Sequence, residues 1–408
     1  MSLLSSSLFH SNYTGNGGLE SFRVKPQGAG FEIADYHDFL KPIRATDCEF
    51  GYDGKLYVSD FVDLNWDGGS AGGRIYTVFD PVKLNDPIVL ETKKLFADGF
   101  EKLAIPRLLE LLGHPDSRVR LRAQFTLAER GGSEVIKSLL QSAASGETQF
   151  SKIHAIWCLG QISRKNPEVL TRLVPLTKSD SPEIVCQVAK VLGDSKQSNF
   201  AIELLPLLNH KEPRVQFFAA QALGKLKHQP AIAKLFDVLK SNADKDVYLR
   251  HACVTALVRI GDAKAVNTYA SDESAAVRLA VVLVQRKLED QRVGQFLTDK
   301  DLFVRTEAAR AVNDLRMEDL YPTLAEQLPK IGETLLPDSD ALARRAIHAA
   351  FRLGTAQHAK SVLDAAVNTN FTLPVRAEAI SALKDWSDPP QRDRVTGHWH
   401  PQIGRAHV

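Results

Sequence analysis

A short phrase, Asp-x-x-Val-Arg followed by Ala and Leu at helical spacing, recurs along most of this chain and limits its fold more than any other feature. It reads Asp116-Ser-Arg-Val-Arg120 before Ala123 and Leu127, Glu212-Pro-Arg-Val-Gln216 before Ala219 and Leu223, and Asp246-Val-Tyr-Leu-Arg250 before Leu257 and Gly261. Further copies are Ser274-Ala-Ala-Val-Arg278, Asp301-Leu-Phe-Val-Arg305 with Ala308 and Val312, and Val375-Arg376 with Ala379 and Leu383. Weaker ones centre on Leu159-Gly160, Leu192-Gly193 and Leu353-Gly354. The step is 32 residues from Leu127 to Leu159 and 31 from Leu192 to Leu223, which leaves room for two helices of ~11 residues and two loops of ~4. Each unit is therefore a helical hairpin. Its second helix carries a Val/Ala/Leu stripe that one hairpin cannot bury, so neighbouring hairpins must stack.

Ankyrin's T-P-L-H and the tetratricopeptide Trp/Gly/Tyr pattern are absent. The short Asp-x-x-Val-Arg units resemble HEAT-like repeats across residues 96–385, and the expected fold class is mainly α, a HEAT-like α-solenoid. The pairs Asp116–Arg120, Asp246–Arg250 and Asp301–Arg305 stand i,i+4 at helix starts, where an acid caps free N–H groups and meets a cation one turn on. With Arg278 and Arg376 they form a repeat ladder. Exposed pairs of this kind contribute only ~0.3–0.5 kcal/mol each, so a structural role outweighs a row of arginines awaiting an anionic partner.

Glycine sets the first 80 residues apart, holding 11 of the 25 (positions 15, 17, 18, 28, 30, 51, 54, 68, 69, 72 and 73). Thr46 to Phe50 leads through Asp53-Gly54 into Leu56 to Phe61, an Asp-Gly hairpin signal between alternating runs. Gly73 to Phe79 and Glu20 to Val24 supply a third and a fourth strand, predicting one small antiparallel sheet. Asp63, Asn65 and Asp67 match the first half of a calcium loop and are the candidate metal ligands. However, Arg74 stands where the bidentate glutamate belongs and the flanks are strands, so a Gly/Asp-rich loop is the preferred reading.

Lys+Arg minus Asp+Glu is 51 − 49 = +2, which excludes nucleic-acid recruitment by bulk charge. Cys48, Cys158, Cys186 and Cys253 lie too far apart for a zinc or C-x-x-C site; Cys186 and Cys253 read as buried free thiols in the small-residue stripe, and Cys158 as core beside Trp157. No apolar run approaches the ~18 residues of a membrane span, and Met1-Ser-Leu-Leu-Ser5 lacks the basic start of a signal peptide. His154, His251 and His348 fall in separate repeats, Trp157 reads as core, and no nucleophile, base and orienter assemble from spacing.

Taken in order, Gly28-Ala-Gly-Phe31, Ala45 to Gly54, Leu56-Tyr-Val-Ser-Asp60 and Gly73-Arg-Ile-Tyr76 resemble the closing part of a glucose/sorbosone dehydrogenase-like β-propeller. With HEAT-like repeats after it, the chain resembles the membrane-bound dehydrogenase-like proteins that join propeller, HEAT array and a c-type cytochrome domain. The resemblance implies pyrroloquinoline quinone, haem c and possible calcium in a parent protein, a periplasmic or cell-envelope location, and adjacent domains or a protein as partners. Residues 1–80 would be a last propeller blade, 81–95 a linker, 96–385 the solenoid and 386–402 an unstructured tail after Pro389-Pro390. Ile403 to Val408 matches a translated sequencing adapter and is set aside. In this reading the chain holds a propeller beside a cytochrome and is not itself catalytic. The alternative is a stand-alone HEAT-repeat adaptor.

Overall fold

Helices carry most of the chain in the computed structural model, which describes residues 7–14, 17–62, 72–333 and 337–401. Two units, Met1–Leu226 and Lys227–Val408, are each internally compact. Unit 1 begins with β1 (Leu8–Asn12), β2 (Gly18–Gln27) and β3 (Gly30–Leu40) in one antiparallel sheet, and β4 (Ala45–Phe50), β5 (Leu56–Phe61) and β6 (Gly73–Val78) in another. The sequence predicts one sheet; two form, because the Gly28-Ala29 turn, with Gly28 at φ +56°, folds residues 20–24 back onto β3 rather than onto the Asp53-Gly54 hairpin. Along β5, Leu56 and Val58 point inward and Tyr57 outward, the period of two expected of a strand with one covered face. They join Leu19, Ile43 and Ala45 in a small core flanked by Phe9, Phe39 and Tyr76.

The helices of unit 1 are α1 (Pro87–Asp98), α2 (Ile105–Leu111), α3 (Ser117–Arg130), α4 (Gly132–Ser145), α5 (Gln149–Ile162), α6 (Pro182–Asp194), α7 (Ala201–Leu204) and α8 (Pro213–Lys225). Those of unit 2 are α9 (Ala231–Asn242), α10 (Val247–Ile260), α11 (Ala263–Asn267), α12 (Ala275–Lys287), α13 (Leu302–Asp314), α14 (Tyr321–Ala325), α15 (Gln327–Ile331), α16 (Asp340–Leu353), α17 (Ala356–Val367) and α18 (Leu373–Lys384). The stretch read as a linker, 81–95, contains the start of α1: Asp86 caps the Ile88 amide at 3.0 Å and Pro87 opens the helix, the position where proline is tolerated.

The two helices of a hairpin are unequal. Second helices run 12 to 14 residues, whereas several first helices shrink to 3-10 turns, as at Pro167–Lys178 with Pro175 inside and Leu205–Asn209 with Pro206. Proline removes an i→i−4 bond, and the short first helix then packs on the outside of a layer of second helices. That layer is α3, α5, α6 and α8 in unit 1, and α10, α12, α13, α16 and α18 in unit 2, each against the next. Its stripe is fully buried at Val119, Ala123 and Leu127, at Ala189 and Leu192, and at Val215, Ala219 and Leu223. Approach is close enough that a Cβ on Gly193 would lie 2.6 Å from the Ala222 Cα.

The aspartates of the repeat phrase cap their helices. Asp116 accepts from the Arg118 amide (2.8 Å), Asp246 from Tyr248 and Leu249, and Asp301 from Phe303 and Val304. Arg120 and Arg305 do not pair with Asp116 and Asp301 as i,i+4 spacing predicts. A side chain in the first turns of a helix leans back toward the N-terminus, so Arg120, Arg250 and Arg278 meet the preceding loop and Arg376 the last turn of α17. Arg120 donates to the carbonyls of His114 (2.6 Å) and Pro115 (2.8 Å), Arg278 to those of Asp272 and Glu273 (both 2.9 Å), and Arg376 to that of Ala366 (3.0 Å). Arg250 pairs with Asp244 of its preceding loop. The Nε of Arg305 is buried without a hydrogen-bond partner. Arg278 is also held by Asp299 through two bonds of 2.7 and 2.9 Å, with both side chains buried.

Two buried histidines link successive second helices. Arg120 Nε donates to His154 Nε2 at 3.1 Å, which places the ring proton on Nδ1, where it is donated to Gln124 Oε1 at 2.8 Å. His348 Nδ1 lies 2.7 Å from Asn313 Oδ1 in the same relation, α16 to α13. Burial, with Arg120 adding to it, pushes the His154 imidazole down to about 4.

Two outcomes follow. Arg278→Met leaves a buried carboxylate unpaired and should cost about 3 kcal/mol in urea unfolding; a loss below ~1 kcal/mol would show that the pair is dispensable. His154 binds protons more weakly folded than unfolded, so its contribution is complete above the unfolded value and is lost as pH falls toward about 4. From pH 7 to 5 the wild type should lose about 2 kcal/mol more than His154→Gln; parallel pH profiles would contradict the buried neutral ring.

Candidate functional site

Each layer of second helices has two edges, and both carry side chains that hold polypeptide. At the N-terminal edge the second residue of each helix faces away from the layer. In unit 1 two of these positions are arginines. Arg118, the second residue of α3, donates to the carbonyls of Phe50 and of Gly51 (3.3 Å), and lies over the Tyr52 ring at 4.8 Å. Tyr52 in turn stacks on Phe96 of α1 at 3.8 Å, with the planes 12° apart. Arg214, the second residue of α8, sits over the Phe31 ring at 4.9 Å near the tip of the β2–β3 hairpin, and is steadied by Glu183 at 2.9 Å. Glu183 is the second residue of α6. The β segment of the same unit is thus gripped at both ends by one edge of the helical layer.

The same position in unit 2 holds Tyr248 on α10 and Phe303 on α13, both about half exposed. Phe150, the second residue of α5 in unit 1, is similarly exposed, with Arg120 over its ring at 4.1 Å.

At the C-terminal edge of unit 2 lies the segment that the sequence marks as an unstructured tail. It is docked instead. Asp393 accepts from the amides of Val395 (2.8 Å) and Thr396 (2.6 Å) in a tight turn, and an antiparallel bridge pairs Arg392 with Trp399. Arg394 bonds Glu378 (2.9 Å), Ser381 (2.6 Å) and Asp385 (2.5 Å) on and just after α18. Asp393 reaches His348 of α16 at 3.4 Å. His400 meets Glu318 at 3.1 Å while Arg352 donates to its carbonyl at 3.0 Å, and Arg316 donates to the carbonyl of Trp399 at 2.5 Å. Burial opposes the charge on Asp393, but the His348 ring and the Thr396 and Val395 amides outweigh it and hold its carboxyl below the usual range.

A cleft of about 620 Å³ opens in unit 1 among Glu91, Arg107, His114, Ser138, Ser142 and Thr148. His114 Nδ1 accepts from the Asp116 amide at 3.0 Å, so its proton is on Nε2, 3.7 Å from Glu91. Cys158, Cys186 and Cys253 are buried, and burial pushes their thiols up to about 12, well away from nucleophilic thiolates. Trp157 donates to Gln187 at 2.9 Å across α5 and α6. Asp63, Asn65 and Asp67 lie outside the described residues, as do residues 403–408. Among the described residues no group of three or more His, Cys, Asp or Glu could hold a metal ion.

The repeat phrase drew attention to the fourth helical residue, Arg120 or Arg278, which turns inward. The outward position is two residues earlier, at Arg118, Arg214, Tyr248 and Phe303. Its chemistry changes from repeat to repeat, so no recurring letter marks it. The tail did carry one signal, Asp393-Arg-Val-Thr-Gly397, the Asx-turn spacing of an aspartate that bonds amides two and three residues on.

A family model of HEAT repeats matches residues 201–268. None of the curated proteins matches the chain. Among solved structures, Kap95p bound to RanGDP is 16% identical, with 73% of this chain and 49% of that one covered and a TM-score of 0.43. The CpcE–CpcF complex of phycocyanin lyase from Nostoc sp. PCC7120 is 15% identical, covering 64% and 97%, with a TM-score of 0.32. Human deoxyhypusine hydroxylase is 16% identical, covering 72% and 99%, with a TM-score of 0.28. With its second helices layered against one another and the first helices outside them, the helical part of the chain is a solenoid of HEAT-repeat type.

Proposed function

We propose that the chain is a protein-binding scaffold that recognises polypeptide along the N-terminal edge of its second helices. The observation that carries this reading is that the edge already holds polypeptide in unit 1, where Arg118 and Arg214 take main-chain carbonyls and aromatic rings from the β segment. Tyr248 and Phe303 at the same helical position offer exposed aromatic anchors, the residue type enriched in interface cores. Main-chain carbonyls and rings are features of any folded partner, so recognition here needs no cofactor and no acid–base pair. No helix among the described residues is long and apolar enough to cross a membrane.

A second reading rests on the resemblance to glucose/sorbosone dehydrogenase-like proteins. We propose in addition that the β segment is the end of a larger propeller in an envelope protein, the solenoid holding it beside a cytochrome c domain, with quinone and haem bound outside this chain. Ile75 on β6 and Ile33 on β3 favour it, being 72% and 63% exposed on strands at the margins of their sheets, where further strands would cover them.

A photo-cross-linking residue at Tyr248 or Phe303, in the cell that makes the protein, should capture one or a few discrete proteins. Equal capture from Leu363, exposed on the outer helix α17, or no capture at all, would overturn the first reading. For the second, the genomic reading frame should continue upstream into strand-rich blades and downstream into C-x-x-C-H; a frame lacking both leaves only the scaffold.

A further inference from the structure

The segment 391–401 is fixed to unit 2 in an unusual way. Its buried side chains are Asp393 and His400, 4% and 5% exposed, whereas its largest apolar residue, Trp399, is 59% exposed. A segment that completes a core buries its apolar groups, because those supply the bulk of packing free energy. This one buries charge and leaves its indole outside. Most of the holds on it are ion pairs or hydrogen bonds, from Glu378, Ser381, Asp385, His348, Arg352, Arg316 and Glu318, with Arg394 also over the Phe351 ring at 5.6 Å. Such contacts are polar and directional, so a polypeptide that presents the same groups can replace them one for one.

His348 shows that the surface is shaped for an incoming group. In unit 1 the equivalent His154 is satisfied on one side by Gln124 of the previous second helix and on the other by Arg120, both from the repeats themselves. In unit 2, Asn313 fills the first place, but the repeats supply no hydrogen bond to the second among the described residues; Asp393, 45 residues along the chain and outside the repeats, lies 3.4 Å from it. The repeats of unit 2 therefore leave one side of His348 open, and the segment brings its Asp393 turn against it.

From these two observations we propose that the C-terminal edge of α13, α16 and α18 is a peptide-binding groove and that residues 391–401 are its built-in ligand, a displaceable strap. The groove takes an aspartate presented at an Asx turn, with a basic residue beside it for Glu378 and Asp385 and a histidine seven residues on for Glu318. A partner with that pattern binds only when the strap is out. The inference is independent of the N-terminal edge, which lies at the opposite ends of these helices.

Full-length wild type and the full-length double variant Asp393→Ala/Arg394→Ala are each titrated with a labelled synthetic peptide of residues 390–401. The double variant should keep its helical circular dichroism and bind the peptide at least 10-fold more tightly than wild type, and the same peptide carrying Asp393→Ala should bind it at least 10-fold more weakly. In wild-type hydrogen exchange, the bonded amides of Asp393, Gly397 and His400 should exchange at least 100-fold faster than those in the middle of α16. Equal peptide binding by the two chains, loss of helix in the double variant, or exchange of the strap in step with α16 would each overturn the proposal, the last two by making the segment a structural cap.

Discussion

Everything in the helical part depends on the second helix of each hairpin being unable to bury its own stripe. Val119, Ala123 and Leu127 are shielded where α5 lies against α3, and the stripe of α5 where α6 follows, with the first helices closing the other side. Small residues make this approach possible, as the Gly193–Ala222 contact shows, and close approach leaves little room for water between helices. Polar groups trapped there must find partners among themselves. The Gln124–His154–Arg120 and Asn313–His348 links and the Arg278–Asp299 pair meet that requirement, and they give neighbouring repeats a directional register that apolar contact alone does not impose.

Much of this was legible in the letters. The period, the apolar stripe and the aspartate caps are local and repeated, so a single sequence states them several times. The arginines illustrate the limit. Spacing puts Arg120 one turn from Asp116, yet the lean of a helical side chain toward the N-terminus carries it past the carboxylate to the carbonyls of His114 and Pro115. Pairing by residue count ignores direction, and direction decided the outcome.

The strands and the strap were harder to read for a different reason. Glu20 to Val24 could pair with any alternating run, and the Gly28-Ala29 turn chose β3 because the nearest strand costs the least loop entropy. Residues 391–401 have no period and few apolar letters, the usual marks of an unstructured end. Their order comes from partners far back in the chain, Arg316 being 83 residues from Trp399, and no local rule reports contacts of that range. The outward second residue of each helix stayed unnoticed since it varies, and variation is what a surface specialised repeat by repeat displays.

The path of the strap bears on how unit 2 comes apart. A stack in which each repeat touches only its neighbours frays from its ends, one repeat at a time. Residues 391–401 run from α18 past α16 to the turn after α13, adding ties between repeats that are not adjacent. Such ties couple the opening of α13, α16 and α18; without them, α18 is held by its neighbours α16 and α17. Occupancy of one shallow groove thereby sets whether the end of this array is a single cooperative block or a graded one.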